Sequence, residues 1–340
     1  MYLPAEFAPQ ESIQLTWPHK DTDWAEYYDD AIECYCNMAR EISMRVPLLI
    51  VAQNPEEVTG QLQAHNIQTE TIQIFHCPTN DTWARDHAFI SCIDGNQRIL
   101  LDFQFNGWGL KFAANHDNQI NQNLYRAGII KGRYINCRDF VLEGGSIESD
   151  GKGTLLTTTS CLLAENRNNH LDKKEIEDRL RKYFSVTRIL WLNHSWLAGD
   201  DTDGHIDTVA RFCTPDTIAY IQCTDTDDEH YDGLKAMEEE LKKLTTIEGQ
   251  PYRLIPLPMP TAIYDSGQRL PATYANFLIM NTAVLMPTYG QSIADSLAAE
   301  QLRQAFPDKQ IISIDCRTLI RQHGSLHCCT MQYPATPSEE

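Results

Sequence analysis

The sequence predicts an α/β protein, and two observations support that fold class. Helical patterns of apolar residues alternate along the chain with short runs rich in β-branched and aromatic residues. The last four predicted helices recur at intervals of roughly 60 residues with strands between them, a period that can mark a repeated α/β unit. This spacing suits a ring of α/β modules, and a doubly wound parallel sheet is the alternative that the pattern leaves open.

Each predicted element rests on a local pattern. Apolar residues recur every three or four positions over residues 24–44, which predicts the first helix. An apolar run at 46–52, interrupted by Pro47, predicts a buried strand. Further helices are predicted at 116–127, 172–183, 228–244 and 292–305. Further strands are predicted at 98–103, 153–158, 187–192, 206–212, 217–222, 275–280 and 282–286, with hairpin turns at Asp94-Gly95 and Asp150-Gly151.

Chain length and hydropathy restrict the class of protein. The 340 residues can form one large domain or two ordinary ones, and 42% of them are hydrophobic. No apolar run approaches the roughly 20 residues of a membrane span, and the first residues lack the basic and apolar regions of a secretory signal. We therefore predict a cytoplasmic protein without a membrane partner. Its last residues, 335–340, are expected to fray.

The cysteines and the net charge indicate the redox compartment of the protein and the kind of ligand that it binds. The eleven cysteines are scattered without a repeated C-x-x-C pattern, so we predict mostly buried free thiols in a reducing compartment. The net charge of −19 argues against nucleic-acid binding, for which a basic surface is expected. A strongly acidic protein would instead attract a cationic substrate, although many cytosolic proteins are acidic for no such reason.

Four polar segments supply the residues that could carry chemistry. They contain four carboxylates, two histidines and one thiol, at 81–86 (DTWARD), 143–145 (EGG), 204–207 (GHID) and 324–328 (GSLHC). Carboxylates hold a planar guanidinium through paired, charge-assisted hydrogen bonds. A thiol can act as a nucleophile without a metal, and a histidine can pass a proton to departing ammonia. The set predicts attack on the central carbon of a guanidinium group.

The first two segments each admit a functional and a structural interpretation. Asp86 could bind a guanidinium through both oxygens while Trp83 stacks on its face. The same residues also fit a surface ion pair and a core tryptophan. Glu143 could orient or move protons because the two glycines after it let the backbone approach closely, and a plain turn is the alternative.

The last two segments are denser in reactive groups. His205 and Asp207 would point to one face if their segment begins a strand. A metal site within 200–207 is the competing interpretation, although no zinc-ligand spacing supports it. Cys328 and Cys329 are adjacent, so only one of them can enter a site if the segment is extended.

Together these segments resemble the agmatine deiminase family, which is related to the bacterial-type peptidylarginine deiminases of the guanidine-modifying superfamily. The resemblance covers nearly the whole chain through motifs in the family's order, at 81–86, 141–146, 150–154, 161–163, 166–168, 199–207 and 327–330. It implies a five-module α/β propeller with a central pore, the pentein fold. It also implies one catalytic domain over residues 1–334, and a homodimer is one assembly compatible with it.

The resemblance also implies residue roles. Cys328 corresponds to the nucleophile because it directly follows the motif histidine, whereas Cys329 falls on a position that is usually hydrophobic. Asp86 and Asp207 correspond to the guanidinium clamp. His205 corresponds to the acid and base, with Glu143 as its partner carboxylate.

The implied reaction is the hydrolysis of agmatine to N-carbamoylputrescine and ammonia, a step of putrescine and polyamine biosynthesis. It proceeds through a covalent thiouronium on Cys328, without a metal or organic cofactor. The resemblance also implies that Trp83 contacts the substrate. Asp201, four residues before His205, corresponds to a residue near the substrate's distal amine. The substrate is a small guanidine cation.

Two departures from the family pattern bear on substrate identity. His87-Ala88 stands where the family has Gly-Pro, and Gln322-His323 replaces part of a glycine-rich run. We expect both departures beside the site, which leaves free or peptidyl arginine as alternative substrates. A metal-dependent hydrolase that uses the acids of 200–207 is the alternative of another class. A non-catalytic binding protein is disfavoured because every expected catalytic residue type is present.

Overall fold

Small mixed β-sheets build the fold. The computed structural model describes residues 1–337, so residues 338–340 of the predicted tail lie outside the described part. Within residues 1–337 there are five separate sheets of three or four strands and one two-stranded hairpin. The α/β class is confirmed. The alternative prediction of a single doubly wound parallel sheet is wrong, because no sheet of residues 1–337 continues into the next. The backbone of Ala335 still bonds to Pro9, so the tail is anchored at its first residue.

One strand pattern recurs in every described sheet. Two strands pair antiparallel, and a helical crossover then leads to a third strand that is parallel to its neighbour. Four sheets take consecutive strands: Ile90–Asp94, Gln97–Gln104 and Arg133–Val141; Ile147–Ser149, Thr154–Thr158 and Arg188–Leu192; Ala210–Thr214, Thr217–Gln222 and Arg253–Pro258; Leu278–Ile279, Ala283–Thr288 and Gln310–Asp315.

The remaining sheet joins the two ends of the chain. Gln10–Thr16 pairs antiparallel with Thr330–Pro334 and parallel with Leu48–Ala52, and Ile72–His76 continues the sheet. The separate hairpin consists of Tyr264–Asp265 and Gln268–Arg269. Because both chain ends share one sheet, the N-terminal segment lies next to the turn that carries Cys328.

The longer helices cross over between parallel strands or cover a sheet. They are Tyr28–Ser43, Pro55–Ala64, Asp117–Arg126, Lys173–Phe184, Tyr231–Leu241 and Ser292–Ala305. Local signals set their ends: Asp172 and Glu175 form a capping box at the start of Lys173–Phe184, and Ser185 ends that helix in the left-handed region at φ 55°. The shorter helical turns are Ala25–Tyr27, Ala84–His87, Gly107–Leu110, Gly144–Ser146, Thr159–Leu162, Ile206–Thr208, Leu319–Gln322 and His327–Cys329.

Most predicted elements are present within a few residues of their predicted bounds, and both predicted hairpin turns connect paired strands. Two strand predictions are wrong in part. The segment 206–212 begins as the turn Ile206–Thr208, closed by a 2.7 Å bond from the Thr208 hydroxyl to the His205 carbonyl. The segment 275–280 is extended in a sheet only at Leu278–Ile279, because Asn276 turns its side chain to the Cys328 turn.

Connections between successive sheets bring the polar segments together. In residues 1–337, four of the five connections between sheets end in a short helical turn just before the first strand of the next sheet. The turn Ala84–His87 contacts both Gly144–Ser146 and His327–Cys329, and Gly144–Ser146 contacts Ile206–Thr208. The four polar segments singled out in the sequence therefore meet at one place.

Residues 1–337 also allow two predictions from the sequence to be compared with the structure, one about the cysteines and one about membrane spans. All eleven cysteines are buried free thiols, as predicted. None of the helices in residues 1–337 combines the length and the apolar character that crossing a bilayer requires.

Candidate active site

Cys328 is the thiol that faces the candidate site. It lies in the turn His327–Cys329 and borders a cavity with 6% of its surface exposed. Cys329 is fully buried, and its thiol bonds to the Ser325 carbonyl at 3.4 Å. The two thiols therefore diverge as predicted, although the segment is a turn and not a strand. Asn276, which the sequence did not indicate, accepts the backbone N–H of both His327 and Cys328 through Oδ1.

Asp86 and Asp207 both lie close to Gly145. The Gly145 N–H donates to Asp86 Oδ1 at 3.0 Å, and the Trp108 indole donates to Asp86 Oδ2 at 2.8 Å. Asp207 Oδ2 accepts from His327 Nδ1 at 2.7 Å. Its other oxygen, Oδ1, is buried and has no hydrogen-bond partner among the described residues. Asp207 thus has one oxygen fixed by the protein and one available to a bound group.

His205 is fully buried beside these carboxylates. Its Nδ1 lies 3.7 Å from Asp86 Oδ1, and neither ring nitrogen has a hydrogen-bond partner within residues 1–337. Burial opposes the charged ring, but Asp86, Cys161 and Glu143 together hold the pKa of His205 well above its usual value. The charged form of the ring is therefore favoured, and as an imidazolium it can donate a proton.

Glu143 is held by Arg167. Arg167 Nε lies 2.9 and 3.2 Å from the two Glu143 oxygens, and both side chains are fully buried. The other two guanidinium nitrogens of Arg167 donate hydrogen bonds, Nη1 to the Asp203 carboxylate at 2.6 Å and Nη2 to the Thr202 carbonyl at 2.7 Å. Arg167 therefore ties Glu143 to the loop that carries His205. The sequence motif at 166–168 was the available signal for this residue.

The resting Cys328 thiol is neutral. Burial raises its pKa well above the usual value, and the nearby charges of Asp207 and Asp86 raise it further. A thiolate is the nucleophilic form, so the site needs an added positive charge to activate Cys328. A cation bound between the two aspartates would supply that charge.

A cavity leads from Cys328 to the surface. Its lining residues are Asp23, Asp81, Trp83, Asp86, Trp108, Phe112, Asp201, Thr202, Gln322, His323, Gly324 and Cys328. Predicted residues Trp83 and Asp201 are among them, whereas Glu143, His205 and Asp207 lie behind the lining. Burial raises the pKa of both Asp81 and Asp201 to about 6. No lysine or arginine of the described chain borders this cavity.

An unusual loop brings Trp108 and Phe112 to the cavity. Trp108 and Leu110 have positive φ angles of 55° and 68°, in a segment where Gly107 and Gly109 also have positive φ. Such backbone is costly for residues other than glycine and persists where its surroundings hold it. The 2.8 Å hydrogen bond from the Trp108 indole to Asp86 is one interaction that stabilises this backbone conformation. Sequence patterns gave no signal for either aromatic residue.

Only one of the two family departures faces the cavity. Gln322 and His323 line it, and His323 Nδ1 lies 2.8 Å from the Gly199 carbonyl. His87 instead points away, buried with Nε2 3.3 Å from the Thr16 hydroxyl, and Ala88 packs in a small apolar cluster. Both departures therefore lie next to site residues, but His87-Ala88 does not line the cavity.

The acids of 200–207 do not converge as a metal site would require. Asp200 closes its own loop through Thr202 and Gly204, and Asp203 pairs with Lys111 and Arg167. Two other buried groups bring potential ligand atoms within 4.8 Å of one another: Glu143, Cys161 and His205, and separately Glu6, Glu148 and His327. Each group already pairs with an arginine, Arg167 or Arg211, so a divalent cation would meet a guanidinium charge.

Gly145→Ala is expected to reduce kcat/KM by at least about 100-fold, because displacements near 1 Å can cost that much in a catalytic arrangement. A methyl group there would stand 2.6 Å from His205 Nδ1, 2.9 Å from Asp86 Oδ1 and 3.1 Å from Asp207 Oδ2. Gly60→Ala is the matched control, since a Cβ at Gly60 meets nothing within 4 Å. Wild-type kinetics in Gly145→Ala would contradict this close convergence.

Comparison with known families points to one group. The model of the Porphyromonas-type peptidyl-arginine deiminase family matches residues 2–334. A Legionella pneumophila (strain Paris) protein provisionally named an agmatine deiminase is 35% identical, over 98% of this chain and 95% of its own length.

Solved structures give the same result. A Porphyromonas gingivalis structure provisionally named an arginine deiminase is 51% identical with a TM-score of 0.93, over 98% of each chain. A C. jejuni agmatine deiminase with substrate bound, in which a cysteine is replaced by serine, is 38% identical with a TM-score of 0.89. That match covers 97% of this chain and 95% of the other.

Proposed function

The chain belongs to the family of Porphyromonas-type peptidyl-arginine deiminases and agmatine deiminases, and we propose that it hydrolyses agmatine to N-carbamoylputrescine and ammonia. One observation carries the proposal. Asp207 Oδ1 is buried without a hydrogen-bond partner among residues 1–337, and the same carboxylate is close enough to the Cys328 thiol to raise its pKa. Buried polar groups are costly unless they are paired, and a guanidinium would supply N–H donors and charge to the carboxylates there.

The substrate head binds between Asp86 and Asp207. Its positive charge offsets the two carboxylates that raise the pKa of Cys328, so the thiol loses its proton to solvent as the cation arrives. The thiolate attacks the guanidinium carbon and forms a tetrahedral intermediate. Imidazolium His205 then gives its proton to one nitrogen, the C–N bond breaks, and ammonia leaves.

Water completes the second half of the reaction. The thiouronium left on Cys328 is attacked by a water molecule that neutral His205 deprotonates, and the C–S bond then breaks. His205 regains its proton from the water, and the remaining hydroxyl proton of the intermediate passes to the departing Cys328 thiolate, which leaves the neutral thiol and the carbamoyl product. Glu143, which Arg167 holds in place, stabilises the charged form of His205 whenever the ring is protonated.

The cavity favours agmatine over arginine. Agmatine carries an amine at its far end, where Asp23, Asp81 and Asp201 border the cavity. Free arginine would place a carboxylate among these acids, and no arginine or lysine of the described lining would pair with it. The net charge of −19 also attracts the agmatine dication more strongly than free arginine, whose carboxylate leaves it with a single net positive charge.

Two broader features belong to the same proposal. The five sheets, with both chain ends sharing one of them, support a ring of five modules around the site as a single catalytic domain over 1–334. The eleven buried thiols support a reducing, cytoplasmic setting, in which the product would enter putrescine synthesis.

An ammonia-release assay tests the function. We expect kcat/KM for agmatine to exceed that for free arginine and for an arginine-containing peptide by at least about tenfold, and to persist in a strong chelator. Added salt should lower kcat/KM for agmatine through screening of the acidic surface. An equal or higher kcat/KM for either arginine substrate would overturn the substrate assignment, and loss of activity in chelator would favour the metal-dependent alternative.

A further inference from the structure

A buried set of charged residues lies behind the nucleophile and has no part in the steps above. We call it the rear network: Glu6, Arg85, Glu148, Arg211 and His327, all of them buried. Glu6 Oε2 lies 2.8 Å from Arg211 Nη2 and 2.6 Å from His327 Nε2. Glu6 Oε1 accepts the backbone N–H of Ile279 at 2.8 Å. The N-terminal segment is thus fixed to the residue that directly precedes Cys328.

His327 bridges this network and the active site. Its Nε2 faces Glu6 at 2.6 Å, and its Nδ1 faces Asp207 Oδ2 at 2.7 Å. Burial opposes ionisation of both carboxyls. Arg211, His327 and Arg85 nevertheless hold the pKa of Glu6 below its usual value, and the bond from His327 does the same for Asp207. An ionised carboxylate can only accept hydrogen bonds, so the ring must donate from both nitrogens and carries a positive charge.

We propose that Glu6 is a positioning residue of the active site, which holds the doubly protonated His327 so that Asp207 keeps Oδ2 fixed and presents Oδ1 to the guanidinium. The inference rests on the proposed function. Without the Glu6 charge, the imidazole could give up one proton. A neutral ring that presents a lone pair at Nδ1 would repel Asp207 Oδ2 and release the carboxylate from its orientation.

The chain contains a matched control for this role. Glu148 is also a buried carboxylate that pairs with Arg211, and it lies within 4.8 Å of the His327 ring, but it hydrogen-bonds to the Phe212 N–H and makes no hydrogen bond to His327. Glu6→Gln and Glu148→Gln each remove one carboxylate partner from the same arginine. Only Glu6→Gln changes the partner of the His327 ring, so a purely structural role predicts similar kinetics for the two variants.

Steady-state kinetics on the full chain separate the two roles. We expect Glu6→Gln to lower kcat/KM for agmatine by about 10- to 100-fold, the range seen when a supporting partner of a site ligand is lost. Glu148→Gln should lower it less than about fivefold, with a similar drop in melting temperature. Equal kinetic losses in the two variants would overturn the positioning role. An inactive wild-type protein would instead count against the proposed function.

A spectroscopic measurement does not depend on either variant folding. In protein labelled with ¹⁵N-histidine, the His327 ring should show two protonated nitrogens at neutral pH, assigned by loss of its signals in His327→Gln. Glu6→Gln should convert the ring to a neutral tautomer, and Glu148→Gln should not. A neutral His327 in the wild-type protein would overturn the inference whatever the kinetics.

Discussion

Cys328→Ser is expected to reduce turnover of agmatine by at least about 10⁴-fold, because a serine hydroxyl in this site is a far weaker nucleophile than a thiolate. The surrounding geometry should persist, since Asn276 holds the Cys328 turn mainly through two backbone N–H groups. The variant should therefore still bind agmatine, which calorimetric titration can measure without turnover. Single-turnover mass spectrometry of the wild type should find the covalent adduct on Cys328.

Cys329→Ala is the control for this experiment. Its thiol packs in the core against the Ser325 carbonyl and does not border the cavity. The loss of a small buried group should cost about 1 kcal/mol of stability, with kcat/KM within about threefold of wild type. Loss of activity in Cys329→Ala combined with activity in Cys328→Ser would reverse the assignment of the nucleophile. An adduct on any other cysteine would also contradict it.

The sequence predicted best the features that local patterns specify. The helix at 292–305 has the predicted bounds, because its apolar stripe and flanking residues mark both ends. The short turn at Ile206–Thr208 was predicted as part of a strand, and the turn at His327–Cys329 was not predicted. Each turn has only three residues and is set by contacts with other connections, so no periodicity within it could reveal its shape.

Residues that support the site were harder to predict than residues that form it. Glu6 meets His327 across 321 positions, and Trp108 meets Asp86 only because of a loop with positive φ angles. Such pairings depend on tertiary structure and leave no local trace. Asn276 is different, since it precedes the first strand of a sheet just as Asp86 does. Treating the chain as a repeat with one polar position before each sheet would have identified it.

Asp207→Asn is expected to lower kcat/KM for agmatine by roughly 30- to 4,000-fold. Loss of one partner from a desolvated charge pair costs about 2–5 kcal/mol, and each 1.4 kcal/mol corresponds to a factor of ten. Asp86→Asn should fall in the same range, although Asp86 retains its bonds from Trp108 and Gly145. Both changes keep side-chain size and remove the charge.

The product provides a matched test of the charge itself. N-carbamoylputrescine has the same tail as agmatine but a neutral urea head, so the clamp aspartates attract it much less. Inhibition constants for the product should therefore change less than fivefold in Asp207→Asn, while the dissociation constant of agmatine, measured in a Cys328→Ser background, rises by more than tenfold. Parallel weakening of both ligands would mean that Asp207 shapes the pocket and does not bind the guanidinium charge.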